Sequence, residues 1–286
     1  MTVRFAQQGD EAALEARFKT QANHAMFLRG NLRQHGLGPS IHPHGSRYLL
    51  RLDGRHIHGV AALTRGGYAM GLGDADDLPL WTAFATRFAG HLFRGVTGQP
   101  AMAGAVRAAL GLEPHRFSTD EITPLFRLGL DRLPSVTDAD LRAPTEADLA
   151  ILGSWLAGFD AEALGVKIAP DHAAGIAARA EAALSDDCLR LLFVAGRPVA
   201  MTRFNAQLPD MVQVGGVYTP PDLRGRGYAR RAVAAHLIQA RRRGVHAAIL
   251  FSANAAASRA YRAIGFRQVG DYAVALLPTT IRIGAA

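Results

Sequence analysis

Residues Val217-Tyr218-Thr219-Pro220-Pro221-Asp222-Leu223-Arg224-Gly225-Arg226-Gly227-Tyr228-Ala229 decide how this chain is read. Val212 to Thr219 reads as a strand, and two prolines then end its pairing. A loop with glycines at alternate positions follows and opens a helix predicted from Gly227 to Arg243, stopped by Gly244. Glycine adopts backbone conformations closed to other residues and lets an anion approach the amides. A helix start adds unpaired N–H groups and the positive end of the dipole. Arg224, Arg226, Arg230 and Arg231 surround it with permanent charge and forked donors. The pattern points to a diphosphate binder. It lacks the Gly-Lys-Ser/Thr of a phosphate-binding P-loop, and it lacks the third glycine and strand-borne acid of a dinucleotide fingerprint.

Working outward, the surrounding half reads as mixed α/β. Helices are expected over residues 145–156 and 170–184, and strands over 189–194 and 199–204 around the turn at Ala195-Gly196-Arg197. The strand at 212–219, the loop and its helix come next. An apolar strand at 246–251, a short helix at 256–264 and a final strand pair from Phe266 complete the half. The first half has similar ingredients with weaker punctuation: a helix at 11–17, a hairpin of 48–52 and 59–63 around Asp53-Gly54, and helices at 81–93 and 101–110.

A boundary falls near Leu133-Pro134-Ser135, giving domains of residues 1–137 and 138–286, each of ordinary size. The 286 residues, 49% of them hydrophobic, suffice for two cores and exclude wholesale disorder. The single cysteine, Cys188, excludes a disulfide framework and a cysteine-rich zinc module, and is expected as a structural thiol. No apolar run is long enough to span a bilayer and the first twenty residues do not resemble a signal peptide, so the expected setting is the cytoplasm, with no membrane partner.

The net charge is +8, with 15 basic and 13 acidic residues up to Asp140 and 17 against 11 beyond it. Seven arginines lie between Arg224 and Arg243, where a polyanion could be held. No nucleic-acid motif or aromatic-interleaved basic stretch accompanies them, so a phosphorylated cofactor fits better than nucleic acid. Arg241-Arg242-Arg243 can either complement the helix C-terminus or reach a ribose phosphate. His42-Pro43-His44 and His56-Ile57-His58 lack the cysteines or acids that would complete a metal site, and none is expected.

Arg224-Gly225-Arg226-Gly227-Tyr228-Ala229 resembles the Q/R-x-x-G-x-G/A coenzyme A loop of the GNAT superfamily of N-acetyltransferases. Asn254 to Phe266 resembles that family's Asn…Tyr-x-x-x-Gly-Phe segment. The likeness covers roughly residues 140–277, the earlier half following by general layout, and the Val-Tyr-Thr-Pro-Pro approach is similar to a bacterial branch with tandem GNAT-like domains. It implies an α/β acyl-CoA N-acyltransferase fold with a diverged N-terminal copy and a catalytic C-terminal one. It also implies acetyl-CoA as co-substrate and direct transfer of the acetyl group to a primary amine, either a small amine or a peptide N-terminus. The arm of the cofactor would lie along Val217, Tyr218 and Thr219. Arg224, Gly225, Arg226, Gly227, Tyr228 and Ala229 would take the pyrophosphate, and Asn254 would touch the arm. Tyr261 would protonate the departing thiolate, a role suited to a phenol that is neutral at pH 7.

Departure from the family lies in the strand before the loop, where many members carry a glutamate. Here it reads Met211-Val212-Gln213-Val214-Gly215-Gly216-Val217, and Gln213 cannot take a proton. Asp210 stands at the strand's start, distant from the loop, Asp160 and Glu162 could line the acceptor pocket, a water chain is the alternative, and no base is assigned. The gap leaves a second reading, a non-catalytic acyl-CoA sensor or interaction module.

Overall fold

The computed structural model describes residues 1–133, 139–163 and 170–284, and these fold into two compact units. The first comprises Met1–Pro124 with Gly270–Ala286, the second Leu125–Val269. Where the sequence suggests one cut near residue 137, the chain's last strand instead completes the first unit. Most of the punctuation at that cut, residues 134–138, lies outside the described residues.

In the first unit, β1 (Thr2–Phe5), β2 (Ser46–Asp53), β3 (His56–Thr64), β4 (Tyr68–Leu72), β5 (Leu92–Gly98) and the C-terminal β12 (Arg267–Arg282) lie in that order. All neighbours are antiparallel except β4 and β5, which run parallel. The helix α3 (Leu78–Arg87) makes that crossover. It buries Leu80, Trp81 and Phe84 on one face of the sheet together with Met102 and Val106 of α4 (Pro100–Ala109). On the other face, α1 (Glu11–Lys19) and α2 (Met26–His35) bury Leu14, Phe18, Leu28 and Leu32. The helix expected over 81–93 stops at Arg87, and Phe93 is a core residue of β5. Gly90, at φ +78, turns the chain between them.

The second unit repeats the plan. Its strands are β7 (Asp140–Arg142), β8 (Leu189–Val194), β9 (Arg197–Gln207), β10 (Met211–Tyr218), β11 (Ala247–Phe251) and the part of β6 (Thr119–Gly129) from Leu125 on, again in that order. Here β10 and β11 are the parallel pair, joined by α7 (Tyr228–Arg242). The helices α5 (Leu149–Ala163) and α6 (Pro170–Ser185) cover one face through Leu152, Trp155, Leu156 and Ile176. On the other, Val233, Leu237 and Ala240 of α7 meet Val212, Val214 and Leu250, with Tyr261 of α8 (Ala255–Arg262) beside them.

The capping signal at Thr145 is real but drives a single 3-10 turn, Glu146–Asp148, ahead of α5. Asp148 accepts from the Thr145 backbone and hydroxyl and from Arg142, which pull its carboxyl down to about 2. The strand pair expected from Phe266 is one long strand, β12, broken only by a register shift between Leu276 and Ile281. Among the described residues no helix is long and apolar enough to cross a membrane.

Candidate active site

The site grows from the parallel pair in the second unit. Partners run from Met211–Ala247 to Val214–Leu250, and β10 then continues to Tyr218. Over that last stretch its register with β9 shifts between Gly215 and Tyr218, where three steps along β10 match two along β9, from Arg203 to Met201. Gly216, at φ +55, makes the bulge. A bulge leaves one residue out of the ladder, so backbone amide groups at Gly216–Val217 are turned away from β9. The Gly-Gly pair inside a strand is the sequence signal for it.

After β10, a 3-10 turn at Pro221–Leu223 leads to Gly225 and Gly227, both at φ +77. Gly227 is the N-cap of α7, and its first-turn amides receive no side-chain cap. A Cβ on Gly225 would meet no atom within 4 Å, so the space over that residue is open. A Cβ on Gly227 would come within 3.0 Å of Arg230 Nε, which places this guanidinium at the mouth of the loop. Thr219 Oγ1 is buried here without a partner among the described residues. Open amides, a cationic rim and an orphaned hydroxyl suit a phosphorylated ligand with a polar arm.

The other predicted residues have definite places. Arg224 Nε donates to the Thr219 carbonyl, and its NH2 donates to Glu162 Oε2 at 2.6 Å, so Arg224 ties the loop to α5. Arg226 NH2 donates to the Asp222 carbonyl at 3.4 Å. The Tyr218 ring turns toward α5, 6.5 Å from the Trp155 ring and over Gly158, where a Cβ would collide with its hydroxyl. Asn254 is the N-cap of α8, its Oδ1 accepting from Ala257 N at 2.9 Å. Tyr261 sits on α8 with its ring edge-on to Phe266 at 6.0 Å. Burial pushes its phenol up to about 12. The loop, β10 and α8 thus gather around one end of the parallel pair.

Several candidates lie elsewhere. Arg241 NH1 donates to the Leu130 carbonyl and Arg243 pairs with Asp187, at the far end of α7. Fifteen residues of helix put some 20 Å between them and the loop, so they serve the helix C-terminus. The Asp210 carbonyl accepts from His246 and Ala247 at the opposite end of β10. Cys188 is half-buried, its thiol raised to about 11 chiefly by burial, and it accepts from Gln207. His56 and His58 bring their rings 4.7 Å apart on β3. Among the described residues no group of three histidine, cysteine or acidic side chains is placed to hold a metal.

Sequence reasoning missed the chamber beside the bulge. A cavity of about 180 Å³ is lined by Leu156, Phe159, Leu189 and Met201, by Arg179, Arg203 and Asn205, and by Gly216 itself. Asp160, 1% exposed, holds Arg179 through bonds of 2.5 and 3.2 Å, and Asp186 holds Arg203 at 2.6 Å. Their spacing in the chain is too wide for any local pattern to have joined them.

Residues 163–266 match the acetyltransferase (GNAT) family. This part of the chain belongs to that family. No curated protein matches. Three solved structures share the fold across the whole length. A GNAT-family acetyltransferase from Colwellia psychrerythraea is 14% identical, with a TM-score of 0.53 over 97% of this chain and 100% of its own. A GCN5-related N-acetyltransferase from Sphaerobacter thermophilus is 16% identical, with 0.58 over 99% and 95%. A tandem GNAT protein from the clavulanic acid biosynthesis pathway is 16% identical, with 0.52 over 100% of both. The chain therefore has the tandem GNAT fold, the second unit carrying the glycine loop.

The first unit's counterpart of that loop is built differently. Between β4 and α3 the chain reads Gly73-Asp74-Ala75-Asp76-Asp77, and the Asp77 carboxylate caps α3 by accepting from Leu80 N. Three acids and a filled cap repel a phosphate where the second unit has glycines and arginines. Arg94-Gly95-Val96-Thr97-Gly98 is strand β5 here, with Gly95 pressed on the backbone of β12 and Met102 filling the space over Gly98.

Proposed function

We propose that this protein is an acetyl-CoA-dependent N-acetyltransferase whose second unit is catalytic and whose first is a diverged, non-catalytic copy. The single observation that carries the reading is the uncapped start of α7, reached through left-handed Gly225 and Gly227. Amides of Gly225, Arg226, Gly227, Tyr228 and Ala229 would hold the pyrophosphate, with Arg230 at its rim. Val217 and Thr219 would bond the arm by backbone, Thr219 adding its hydroxyl. Asn254 fixes the start of α8, which carries Tyr261, and would touch the arm.

The amine nitrogen would attack the thioester carbonyl directly: a C–N bond forms, the C–S bond breaks, and no covalent enzyme intermediate or metal takes part. Tyr261 would give its proton to the departing thiolate. Because its phenol lies near 12, it keeps that proton throughout the neutral range. The amine's proton would pass to water, since β10 offers Gln213, whose Nε2 is spent on the Val214 carbonyl. That missing carboxylate favours the second reading, an acyl-CoA sensor.

Release of free CoA from acetyl-CoA with a panel of amines separates the two. Turnover with at least one amine is expected, and binding without turnover across the panel would favour the sensor.

A further inference from the structure

We propose that the acceptor is a small apolar α-amino acid, bound as its carboxylate in the cavity beside the β10 bulge. The inference rests on the acetyltransferase reading and adds to it the class of amine. The cavity is the space next to Gly216, on the same strand that would hold the acyl arm at Val217 and Thr219. An acceptor there would lie beside that strand, within the second unit.

The lining sets the chemistry. Among the described residues its charged side chains are two guanidiniums, Arg179 and Arg203, with no carboxylate in the lining. Asp160 and Asp186 sit behind these arginines and hold them in place. A guanidinium has five N–H donors, so an ion pair on one edge leaves others for a second carboxylate. Leu156, Phe159, Leu189 and Met201 supply an apolar wall, and Asn205 an amide. About 180 Å³ admits an amino acid of leucine size.

Charge argues in the same direction. A polyamine would bring a second cation beside two arginines, with no carboxylate among the described lining residues to pair with it. An amino acid brings one carboxylate for the guanidinium edges that Asp160 and Asp186 leave open. On transfer the neutral nitrogen bonds the acetyl carbon, the sulfur leaves with the pair from the C–S bond, and the surplus amine proton goes to water.

Initial rates with acetyl-CoA and L-leucine, L-phenylalanine, L-leucinamide, L-aspartate and 1,4-diaminobutane test this, after binding of acetyl-CoA has been measured alone. Leucine and phenylalanine are expected to exceed leucinamide in kcat/KM by roughly tenfold or more, the worth of a charge-assisted hydrogen bond. Arg203→Gln and Arg179→Gln should each raise KM for leucine by a similar factor, abolish the preference over leucinamide and leave acetyl-CoA affinity unchanged. Arg203→Lys should restore part of the preference. Absence of acetyl-CoA binding would overturn the acetyltransferase reading and this one with it. Binding with turnover that favours leucinamide, aspartate or the diamine in the wild-type enzyme would overturn the acceptor class alone, and so would binding with turnover of none of the five.

Discussion

At Tyr261 one side chain has two jobs to be told apart, because its ring is a core contact and its hydroxyl is the proposed acid. Tyr261→Phe keeps the packing against Phe266 and removes only the hydroxyl. We expect acetyl-CoA affinity to hold and kcat to fall by roughly 10²–10⁴-fold, the range for one positioned proton donor. Single-turnover kinetics reads the chemical step directly, and a wild-type rate would leave Tyr261 a core residue. His236 shows burial acting on a different group. It is fully buried in α7, stacked 3.7 Å from the Phe204 ring, with neither ring nitrogen partnered among the described residues. Desolvation first, then Arg190 and Arg243, hold its pKa at about 3 instead of 6.5. The unfolded chain therefore binds a proton that the folded one refuses. Stability from this group is full above pH 6.5 and is lost as pH falls toward 3. Thermal melts at pH 7 and 4.5 should show His236→Phe losing less stability on acidification than wild type, by on the order of 2 kcal/mol. An equal drop in both would contradict this.

Helix α8 matters because it carries Tyr261, and its start hangs on one bond from Asn254. Asn254→Ala should cost about 1 kcal/mol and lower kcat by loosening the tyrosine. Asn254→Ser should restore the melting temperature, since serine also caps. If the Asn254 amide touches the arm as well, affinity for acetyl-CoA stays a few fold weaker in the serine variant. Calorimetry on both variants checks that, and full recovery by serine would confine Asn254 to capping. Much at this scale was legible in advance. The glycine loop, its helix and the strand before it read within a residue or two, because Pro220, Pro221, Gly225, Gly227 and Gly244 punctuate them. The chamber beside the bulge was not, since Phe159, Arg179, Arg203 and Gly216 meet only through folding. Nor was the end of α3, where the apolar run through Phe93 conceals a change from helix period to strand, marked only by Gly90.

Across the whole molecule the two units repeat one plan, and each takes its sixth strand from elsewhere in the chain than simple succession would give. The strand after α4 supplies its residues from Leu125 on to the second unit, and the strand after α8 supplies Gly270 onward to the first. A cut at residue 137 would strip the first unit of β12, so we expect separately expressed halves to be insoluble or to melt far below the intact chain. The repeat also gives the account its sharpest contrast. The same crossover is cationic and glycine-lined before α7, but acidic and capped by Asp77 before α3. Gly227→Val would force a β-branched residue into φ +77 and its side chain onto Arg230, while leaving the core alone. Titration calorimetry of acetyl-CoA into the intact chain and into Gly227→Val is therefore the most direct measurement. One site per chain, lost in a variant that still melts cooperatively, is the expected result. Two sites, or unchanged affinity in Gly227→Val, would contradict the account.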